Sequence, residues 1–293
     1  MKKQYDVLVC GPVSLDINID YQDVECREVG GAVVASGFAA SKSGFRTAIF
    51  CKLNPEEADV NERFEGSGAD LYWMKSTHTC SIRNKYHTAN KERRDCTSLG
   101  ICDPFLFQDL PEIDAKIYHF AGLVYGDFDN SLLKEASEHG KVALDIQCML
   151  RHVEEDKSMK FHDWAEKKEM LPYIDYLKTD AAEAEIMTGT EDREKAARML
   201  HEWGAKEVMI SHNTEILVYD GEKIYTCPIK ARNLSGRTGR GDTVFAGYIN
   251  ERQNASVEEA LLYSTALVSL KMETPGPFKG SRQDVLDYIA EFY

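Results

Sequence analysis

Short apolar runs of strand length alternate along most of this chain with stretches of helical periodicity. The strand-like runs are DVLVCG, TAIFCKL, AKIYHFAG, KVALDIQ, YLKTD and EVMIS. The stretches with helical periodicity cover residues 33–44, 130–140, 191–204 and 242–252. Such alternation is typical of β-α-β units, in which helices flank a mostly parallel sheet. The sequence therefore predicts a single α/β domain over residues 1–293, with a central mostly parallel sheet flanked by helices.

Two polar segments, residues 17–30 and 76–103, interrupt this alternation. Both are rich in β-branched and aromatic residues and lack helical spacing, which indicates solvent-facing antiparallel strands. We interpret them as a small β-strand lid over the carboxyl ends of the main strands, where open α/β sheets bind their ligands. Exposed lid strands also predict a homodimer in which two lids pair. The final stretch is predicted to be an amphipathic helix with Ser281 as its N-cap.

The composition excludes several classes of protein. Hydrophobic residues make up 43% of the chain and charged residues 29%, and no apolar run reaches the ~18 residues of a membrane span. The formal net charge of −14 argues against nucleic acid as a partner. Asp6 and Asp16 interrupt the apolar N-terminal run, which disfavours a signal peptide. Eight cysteines without a CxxC pair indicate reduced thiols in a cytoplasmic protein.

The strongest local motif is SGRTGRGDTVFAGYI at residues 235–249, in which Gly239 and Gly241 precede Asp242 and a helical stretch. Glycines permit tight backbone geometry, and a helix that begins here directs its first N–H groups and its positive dipole end at one point. The motif therefore predicts an anion-binding site. Asp242 can cap the helix, or it can accept a proton from a hydroxyl held beside the anion, and the residues alone leave both roles open.

The letters TGRGD at 238–242, followed by FAG at 245–247, resemble the second signature of ribokinase-like (phosphofructokinase B-type) kinases. The resemblance implies a ribokinase-like α/β fold and phosphoryl transfer with Asp242 as the catalytic base. Stabilisation of the transferred group then depends mainly on positioning and electrostatics. The implied anion hole is the backbone of Gly239, Arg240 and Gly241, with Thr238 at the nucleotide.

A second motif, GGAVVASGFAASKSG at 30–44, opens on Gly30 and Gly31 and resembles the first signature of the same family. Paired glycines allow a ligand to approach the backbone closely, although they also suit a compact helix against a sheet. Asp16 follows a strand-end glycine and can accept two hydrogen bonds from a vicinal diol, or it can be a turn residue. The resemblance implies that the glycine pair, Asp16 and Arg151 bind the substrate. The stretch ALDIQCMLR at 143–151 is similar to a strand of some family members that bears an Asp and a later Arg, with Asp145 and Arg151 as the candidates.

A third motif, YLKTDAAEAEIMTG at 176–189, resembles a Lys-x-Asn-x-x-Glu element of the family, with Asp180 in place of Asn. Two acids at a helix start can act as caps, or they can orient water around a magnesium ion that bridges phosphates. The resemblance implies that Lys178 and Asp180 lie at the nucleotide. It also implies that Glu183 holds Mg²⁺, through water.

Residues 207–221 (EVMISHNTEILVYDG) are interpreted as a strand that supplies part of the nucleotide site, with Ser211 and Asn213 as candidates. Family members usually have a Thr followed by glycines here, whereas this chain has SHNT at 211–214. ATP is the expected donor, with GTP or another nucleotide as the alternative. Arg237 and Arg240 stand where the family has other residues. Their positive charges can contact a donor phosphate or face solvent.

The motifs together predict a small-molecule kinase that transfers the γ-phosphoryl group of ATP to a hydroxyl of a sugar, cyclitol or nucleoside. A sugar-phosphate kinase is the alternative if basic side chains in the lid bind phosphate, whereas a solvent-facing hairpin is the simpler reading. These side chains are Arg83, Lys85, Lys91, Arg93 and Arg94. A non-catalytic metabolite-binding protein with the same fold is the alternative of another class. The chain has neither G-x-G-x-x-G after its first strand nor G-x-x-x-x-G-K-[ST], which disfavours dinucleotide oxidoreductases and P-loop kinases.

Overall fold

A computed structural model describes residues 2–88 and 94–293 of the chain. The strands are β1 (Lys3–Pro12), β2 (Ser14–Ile19), β3 (Glu25–Gly30), β4 (Thr47–Leu53), β5 (Asp70–Lys75), β6 (Ser81–Tyr86), β7 (Arg94–Gly100), β8 (Ile113–Phe120), β9 (Lys141–Asp145), β10 (Arg151–Val153), β11 (Met159–Phe161), β12 (Tyr176–Asp180), β13 (Glu207–Ser211), β14 (Glu215–Tyr219) and β15 (Ile224–Pro228). The α-helices are α1 (Ala32–Lys42), α2 (Val60–Phe64), α3 (Asn130–Ser137), α4 (Gln147–Leu150), α5 (Lys167–Met170), α6 (Ala181–Thr188), α7 (Arg193–Glu202), α8 (Arg240–Glu251), α9 (Val257–Lys271) and α10 (Arg282–Phe292), with 3₁₀ turns at Phe107–Asp109 and Leu171–Tyr173.

The main sheet has nine strands in the order β15-β14-β13-β12-β9-β8-β1-β4-β5. All neighbours from β13 to β5 pair in parallel, whereas β14 and β15 are antiparallel. Every residue of β4 is buried, as expected for a parallel strand that is covered on both faces. The prediction of a mostly parallel sheet flanked by helices is confirmed.

The helices form where the apolar spacing predicts them, and their ends have physical causes. Ser281 caps α10, because its hydroxyl accepts from the Asp284 N–H while the Asp284 carboxylate accepts from the Ser281 N–H.

One group of helices, α1, α8, α9 and α10, packs together. This packing places the start of α1 beside the start of α8, where the Ala35 Cβ would lie 3.2 Å from a Cβ added to Gly239.

A separate four-stranded sheet has the order β3-β2-β6-β7, and we call it the lid sheet. It confirms the prediction that the two polar segments form strands. The prediction that these strands are all antiparallel was wrong, because β2 and β6 pair in parallel. Parallel pairing requires a long connection, and α1 and the main-sheet strands β4 and β5 lie between β2 and β6 in the chain. Lys91 and Arg93 of the predicted basic cluster lie outside the described residues.

Residues 207–221 form a hairpin and not the single strand that the sequence suggested. Strands β13 and β14 pair antiparallel, and the turn between them is closed by the His212 N–H, which donates to the Glu215 carbonyl at 3.0 Å. The His212 ring also contacts the Thr214 hydroxyl at 3.0 Å. The three polar residues at 212–214 break the apolar pattern, and polar residues of this kind favour turns. Asn213 is therefore at the tip of the turn.

Within the described residues, no helix combines the length and apolar character needed to cross a lipid bilayer. All eight cysteines fall inside the described ranges and are free thiols.

Gly11 lies where β1 meets the end of β8, and it leaves no room for a side chain. A Cβ at Gly11 would stand 2.1 Å from the Ala121 carbonyl oxygen, so the two backbones would have to separate. We expect Gly11→Ala to lower the free energy of unfolding by about 1–3 kcal/mol, as overpacked sites do. Urea unfolding measures this. Gly30→Ala is the matched control, because its Cβ would meet nothing nearer than 3.9 Å, and an equal loss in both variants would contradict the steric argument.

Candidate active site

The carboxyl ends of β1, β9, β12 and β13 lie at one edge of the main sheet, because these strands run parallel. The predicted functional residues follow these ends: Asp16 comes after β1, Arg151 after β9, Asp180 ends β12 and Asn213 follows β13. Loops at this edge are where open α/β sheets bind ligands. The topology therefore brings to one edge residues that are far apart in sequence.

Helix α8 begins at this same edge, directly after the glycine-rich loop. Gly239 is its N-cap with φ of 78°, a left-handed conformation that favours glycine. The first helical bond joins the Thr243 N–H to the Gly239 carbonyl, at 3.0 Å. The N–H groups of the preceding first turn therefore point out of the helix end, with the positive end of the dipole. The arrangement suits a phosphoryl group, as the sequence predicts.

Asp242 lies in this first turn and is half-buried. Burial and the Asp145 carboxylate raise the pKa of Asp242 to about 6, against the opposing attraction of Lys178 and Lys271. The carboxylate is therefore ionised near neutral pH and holds a proton better than an ordinary aspartate does. A general base works best with a pKa close to the operating pH, so Asp242 is suited to accept a hydroxyl proton.

Lys178 lies beneath the glycine-rich loop and not in open solvent. Its Nζ is 2.8 Å from Asp145 Oδ2 in a buried ion pair, and it would be 3.0 Å from a Cβ added to Gly241. Burial opposes its charge, but the Asp145 and Glu183 carboxylates outweigh burial and raise the pKa of Lys178. The ammonium is therefore charged, and a side chain at position 241 would crowd it.

Lys271 is a second buried cation at the loop, and the sequence reasoning missed it. Its Nζ donates to the Gly236 carbonyl at 2.5 Å and to the Thr238 carbonyl. It would also lie 3.9 Å from a Cβ at Gly239. The available signal was a single lysine within the otherwise apolar stretch ALVSLKM of α9. Lys271 holds the loop in place and adds positive charge beside the start of α8.

Asp180 and Glu183 form a capping box at the start of α6. The Glu183 N–H donates to Asp180 Oδ1 at 2.8 Å, and the Asp180 N–H donates to Glu183 Oε2 at 2.7 Å. Burial raises the pKa of Glu183, with the Asp180 and Asp145 carboxylates adding to it and Lys178 opposing it. One oxygen of this side chain already accepts from the Asp180 N–H, which agrees with a contact to Mg²⁺ through water. No cluster of three potential metal ligands exists in the part of the chain that the structure describes.

Arg237 and Arg240 converge on the tip of the β13–β14 hairpin. Arg237 Nη2 and Arg240 Nη1 donate to the same Asn213 Oδ1, at 2.8 Å and 3.1 Å. Burial and the nearby Arg237 charge lower the pKa of Arg240. Ser211 is turned away beneath the sheet edge, where its hydroxyl donates to the Thr179 carbonyl at 3.4 Å. Asn213 thus holds two guanidinium groups together beside the start of α8.

The predicted substrate residues at the lid base come together. Asp16 Oδ2 would lie 3.9 Å from a Cβ at Gly30, because β2 and β3 pair Ser14 with Gly30. The Ser14 hydroxyl donates to Asp16 Oδ1. Gly31 has φ of 106°, and a Cβ there would lie 2.7 Å from the Pro12 carbonyl, so glycine is required.

Arg151 is buried beneath the lid, and its Nη2 donates to Gln147 Oε1 at 2.6 Å. Asp127 lies close to it and was not singled out in the sequence. Burial is the main cause of the raised pKa of the Cys80 thiol. The Asp127 and Asp16 carboxylates raise this pKa further, whereas Arg151 lowers it. Three charged groups therefore surround the base of the lid sheet. The signal for Asp127 was its position in YGD after the strand AKIYHFAG, at the edge where ligands bind.

The inner part of the lid sheet carries polar side chains. Asn84 is buried, its Nδ2 donates to Asn18 Oδ1 at 3.0 Å, and the Cys96 thiol donates to Asn84 Oδ1 at 3.3 Å. Arg83 is exposed, and Lys85 pairs with Asp23 within the lid. The exposure of Arg83 and the pairing of Lys85 with Asp23 agree with the interpretation of the basic cluster as a solvent-facing hairpin.

The fold and this site define a class of phosphotransferase, the ribokinase-like kinases. Comparison with known proteins agrees: the pattern of the pfkB family carbohydrate kinases matches residues 21–283. The chain belongs to this family, and it is a kinase that phosphorylates a hydroxyl of a sugar, a cyclitol or a nucleoside.

The chain is also similar to individual proteins, to different extents. A cytidine kinase of Thermococcus kodakarensis is 26% identical over 254 residues, covering 83% of this chain and 87% of the relative. A pyrophosphate-dependent kinase of the ribokinase family, solved with a pyrophosphate analogue and myo-inositol, is 30% identical with a TM-score of 0.87, and the match covers 96% of this chain and 99% of the other. Ribokinase of Arabidopsis thaliana, solved with ribose and ATP, has 19% identity and a TM-score of 0.77 over 97% and 98% of the two chains, a likeness in fold alone.

Proposed function

We propose that this kinase phosphorylates a hydroxyl of a cyclitol or a similar polyol, with Asp242 as the base and inorganic pyrophosphate as the donor. The observation that carries the proposal is Asp242 itself, a half-buried carboxylate with a pKa of about 6 in the first turn of α8. A hydroxyl that attacks a phosphoryl group at this helix end would have its proton acceptor and its anion hole side by side.

The donor is proposed from charge as well as from similarity. Arg237 and Arg240 share the Asn213 oxygen, so their guanidinium groups lie side by side despite like charge. An anionic ligand relieves such repulsion, and guanidinium groups bind phosphate in bidentate geometry. The 30%-identical relative described as pyrophosphate-dependent supports the same choice. ATP, which the sequence motifs predict, is the second candidate donor. It is favoured by the family signature at 238–242.

The acceptor is proposed from the lid. Asp16 supplies a carboxylate acceptor, and the Asn18–Asn84 pair supplies amide donors and acceptors on the inner lid. Groups of this kind suit a compact ligand with several hydroxyls. A nucleoside is the second candidate, because the 26%-identical relative is a cytidine kinase. A sugar phosphate has less support, because Lys85 is engaged by Asp23.

We propose that Mg²⁺ binds together with the phosphoryl donor. Glu183 keeps its predicted role only through water, since its carboxylate already accepts from the Asp180 N–H. Bound Mg²⁺ would neutralise charge on the transferred group, and Lys178, Lys271 and the first turn of α8 supply fixed positive charge in the protein itself.

A turnover screen tests the function. The purified protein is supplied with pyrophosphate or ATP, each with Mg²⁺, against myo-inositol, ribose and cytidine, and the phosphorylated products are quantified. We expect the highest kcat/KM with pyrophosphate and the cyclitol, by at least about tenfold over the ATP reactions, which corresponds to ~1.4 kcal/mol of discrimination. A preference for ATP would overturn the donor. Ligand-induced stabilisation without turnover in any pair would favour the non-catalytic alternative.

A further inference from the structure

Asp145 and Lys178 form a buried ion pair in which Lys178 supplies charge to the proposed site, whereas the proposed chemistry gives Asp145 no role. They stand on neighbouring strands in direct register, Asp145 as the last residue of β9 and Lys178 in the middle of β12. The Nζ–Oδ2 distance is 2.8 Å, and the relative side-chain exposures are 4% and 7%. Burying two charges is unfavourable unless their geometry is tightly defined, so such a pair is weak evidence for a role in stability alone.

Lys178 reaches from this pair to the catalytic loop. Its Nζ and Cε would lie 3.0 Å and 3.2 Å from a Cβ at Gly241, the residue before Asp242. Glu183 Oε2 is 4.0 Å from the same Nζ, so Asp145 is its nearer partner. The Asp145 carboxylate therefore fixes where the ammonium lies under the backbone of the loop.

We propose that Asp145 is a positioning residue: it holds the Lys178 ammonium under Gly241, and the two charges of the pair together set the charge environment in which Asp242 accepts the substrate proton. The inference rests on the proposed role of Asp242 as base. It assigns to the buried pair a task in the reaction and makes Asp145 part of the site.

Charged groups from several elements surround Lys178 and Asp242. Asp145, Glu183, Asp180 and Asp242 act on the Lys178 ammonium, and Asp145, Lys178 and Lys271 act on Asp242. His119 of β8 is neutral, because burial and Lys178 lower its pKa to about 3. Removing a single member of the Asp145–Lys178 pair therefore changes the net charge near Asp242.

The direction of each effect follows from the sign of the charge removed. Asp145 raises the pKa of Asp242, so Asp145→Asn lowers it, whereas Lys178→Met raises it. The base acts when ionised, so kcat/KM falls as the pH falls through the pKa of Asp242. Asp145→Asn should thus move the acid limb of the pH profile to lower pH, and Lys178→Met should move it to higher pH. Each displacement should be about one pH unit, as expected for charges at this range.

The experiment is the pH dependence of kcat/KM in the wild type, in the two single variants and in Asp145→Asn/Lys178→Met. We expect opposite displacements of the acid limb in the single variants and near-cancellation in the double variant. Asp175→Asn is the matched control, because it removes a strand-end aspartate that pairs with Lys206 at the opposite edge of the sheet, and it should leave the limb in place. Loss of rate with no displacement in either single variant would reduce the pair to a structural role and overturn the inference.

A second measurement separates this inference from the proposed function. The ¹³C signal of the Asp242 carboxyl, assigned by its absence in Asp242→Asn, is titrated in aspartate-labelled protein without any substrate. If the midpoint in Asp145→Asn lies below that of the wild type, the inference holds even where no turnover is found. An unchanged midpoint refutes it even if the kinase is active.

Discussion

Asp242→Asn is expected to lower kcat by about 10²- to 10⁴-fold, the range that general-base catalysis contributes. Asparagine keeps the shape of the side chain but cannot accept the hydroxyl proton. The proposed anion hole consists of backbone N–H groups with Lys178 and Lys271 beside them, which the substitution leaves in place. Steady-state kinetics measures the rate, and calorimetric titration measures donor affinity, which should stay within a few-fold of the wild type.

The matched control for this variant is Asp192→Asn, which also neutralises an aspartate at a helix start. Asp192 accepts the Glu194 and Lys195 N–H groups as the cap of α7, and asparagine caps helices nearly as well. We expect only a small change in kcat there. Wild-type turnover in Asp242→Asn would remove Asp242 from the mechanism.

The second large effect is expected from Arg237→Gln/Arg240→Gln. Each guanidinium is proposed to make a charge-assisted hydrogen bond to the donor, worth about 1.5–3 kcal/mol, so the double variant should lose at least about 100-fold in kcat/KM with pyrophosphate. The loss should fall mainly on KM for the donor, with KM for the acceptor little changed. Steady-state kinetics with each substrate varied in turn measures both.

Arg46→Gln is the control for this charge removal. Arg46 stacks on the Tyr5 ring at 5.1 Å and immediately precedes β4, at the amino edge of the sheet. It should leave the donor KM unchanged. If the double variant also kept its donor KM, the arginine pair would be a surface feature held by Asn213, and the pyrophosphate proposal would lose its physical support.

The main sheet could be predicted from the sequence because each strand carries its own signal. EVMIS and TAIFCKL are apolar runs of strand length, and the helices between them have their own periodicity and caps, as at Ser281. Pairing in the lid could not be predicted in the same way. The direction of β2 against β6 depends on a connection through the main sheet, and no local pattern encodes it.

The glycine-rich loop that precedes Asp242 could also be predicted from the sequence, because its backbone geometry needs glycine at fixed spacing. The side chains that contact this loop could not be predicted. The sequence motif predicted that Lys178 lies at the nucleotide. It did not predict the buried contact with Asp145, which lies 33 residues away along the chain. The Asn213 contact with both arginines likewise depends on a hairpin that the sequence suggested to be one strand. Side chains that meet across strands leave no periodic trace for sequence analysis to detect.

The most direct test of the account is ³¹P NMR of a reaction that contains the wild-type protein, pyrophosphate, Mg²⁺ and myo-inositol, beside the same reaction with Asp242→Asn. The account predicts that the pyrophosphate signal decays into equal amounts of orthophosphate and a new phosphomonoester, and that the variant leaves it intact over the same time. Orthophosphate alone, or an equal yield of phosphomonoester from the variant, would contradict it.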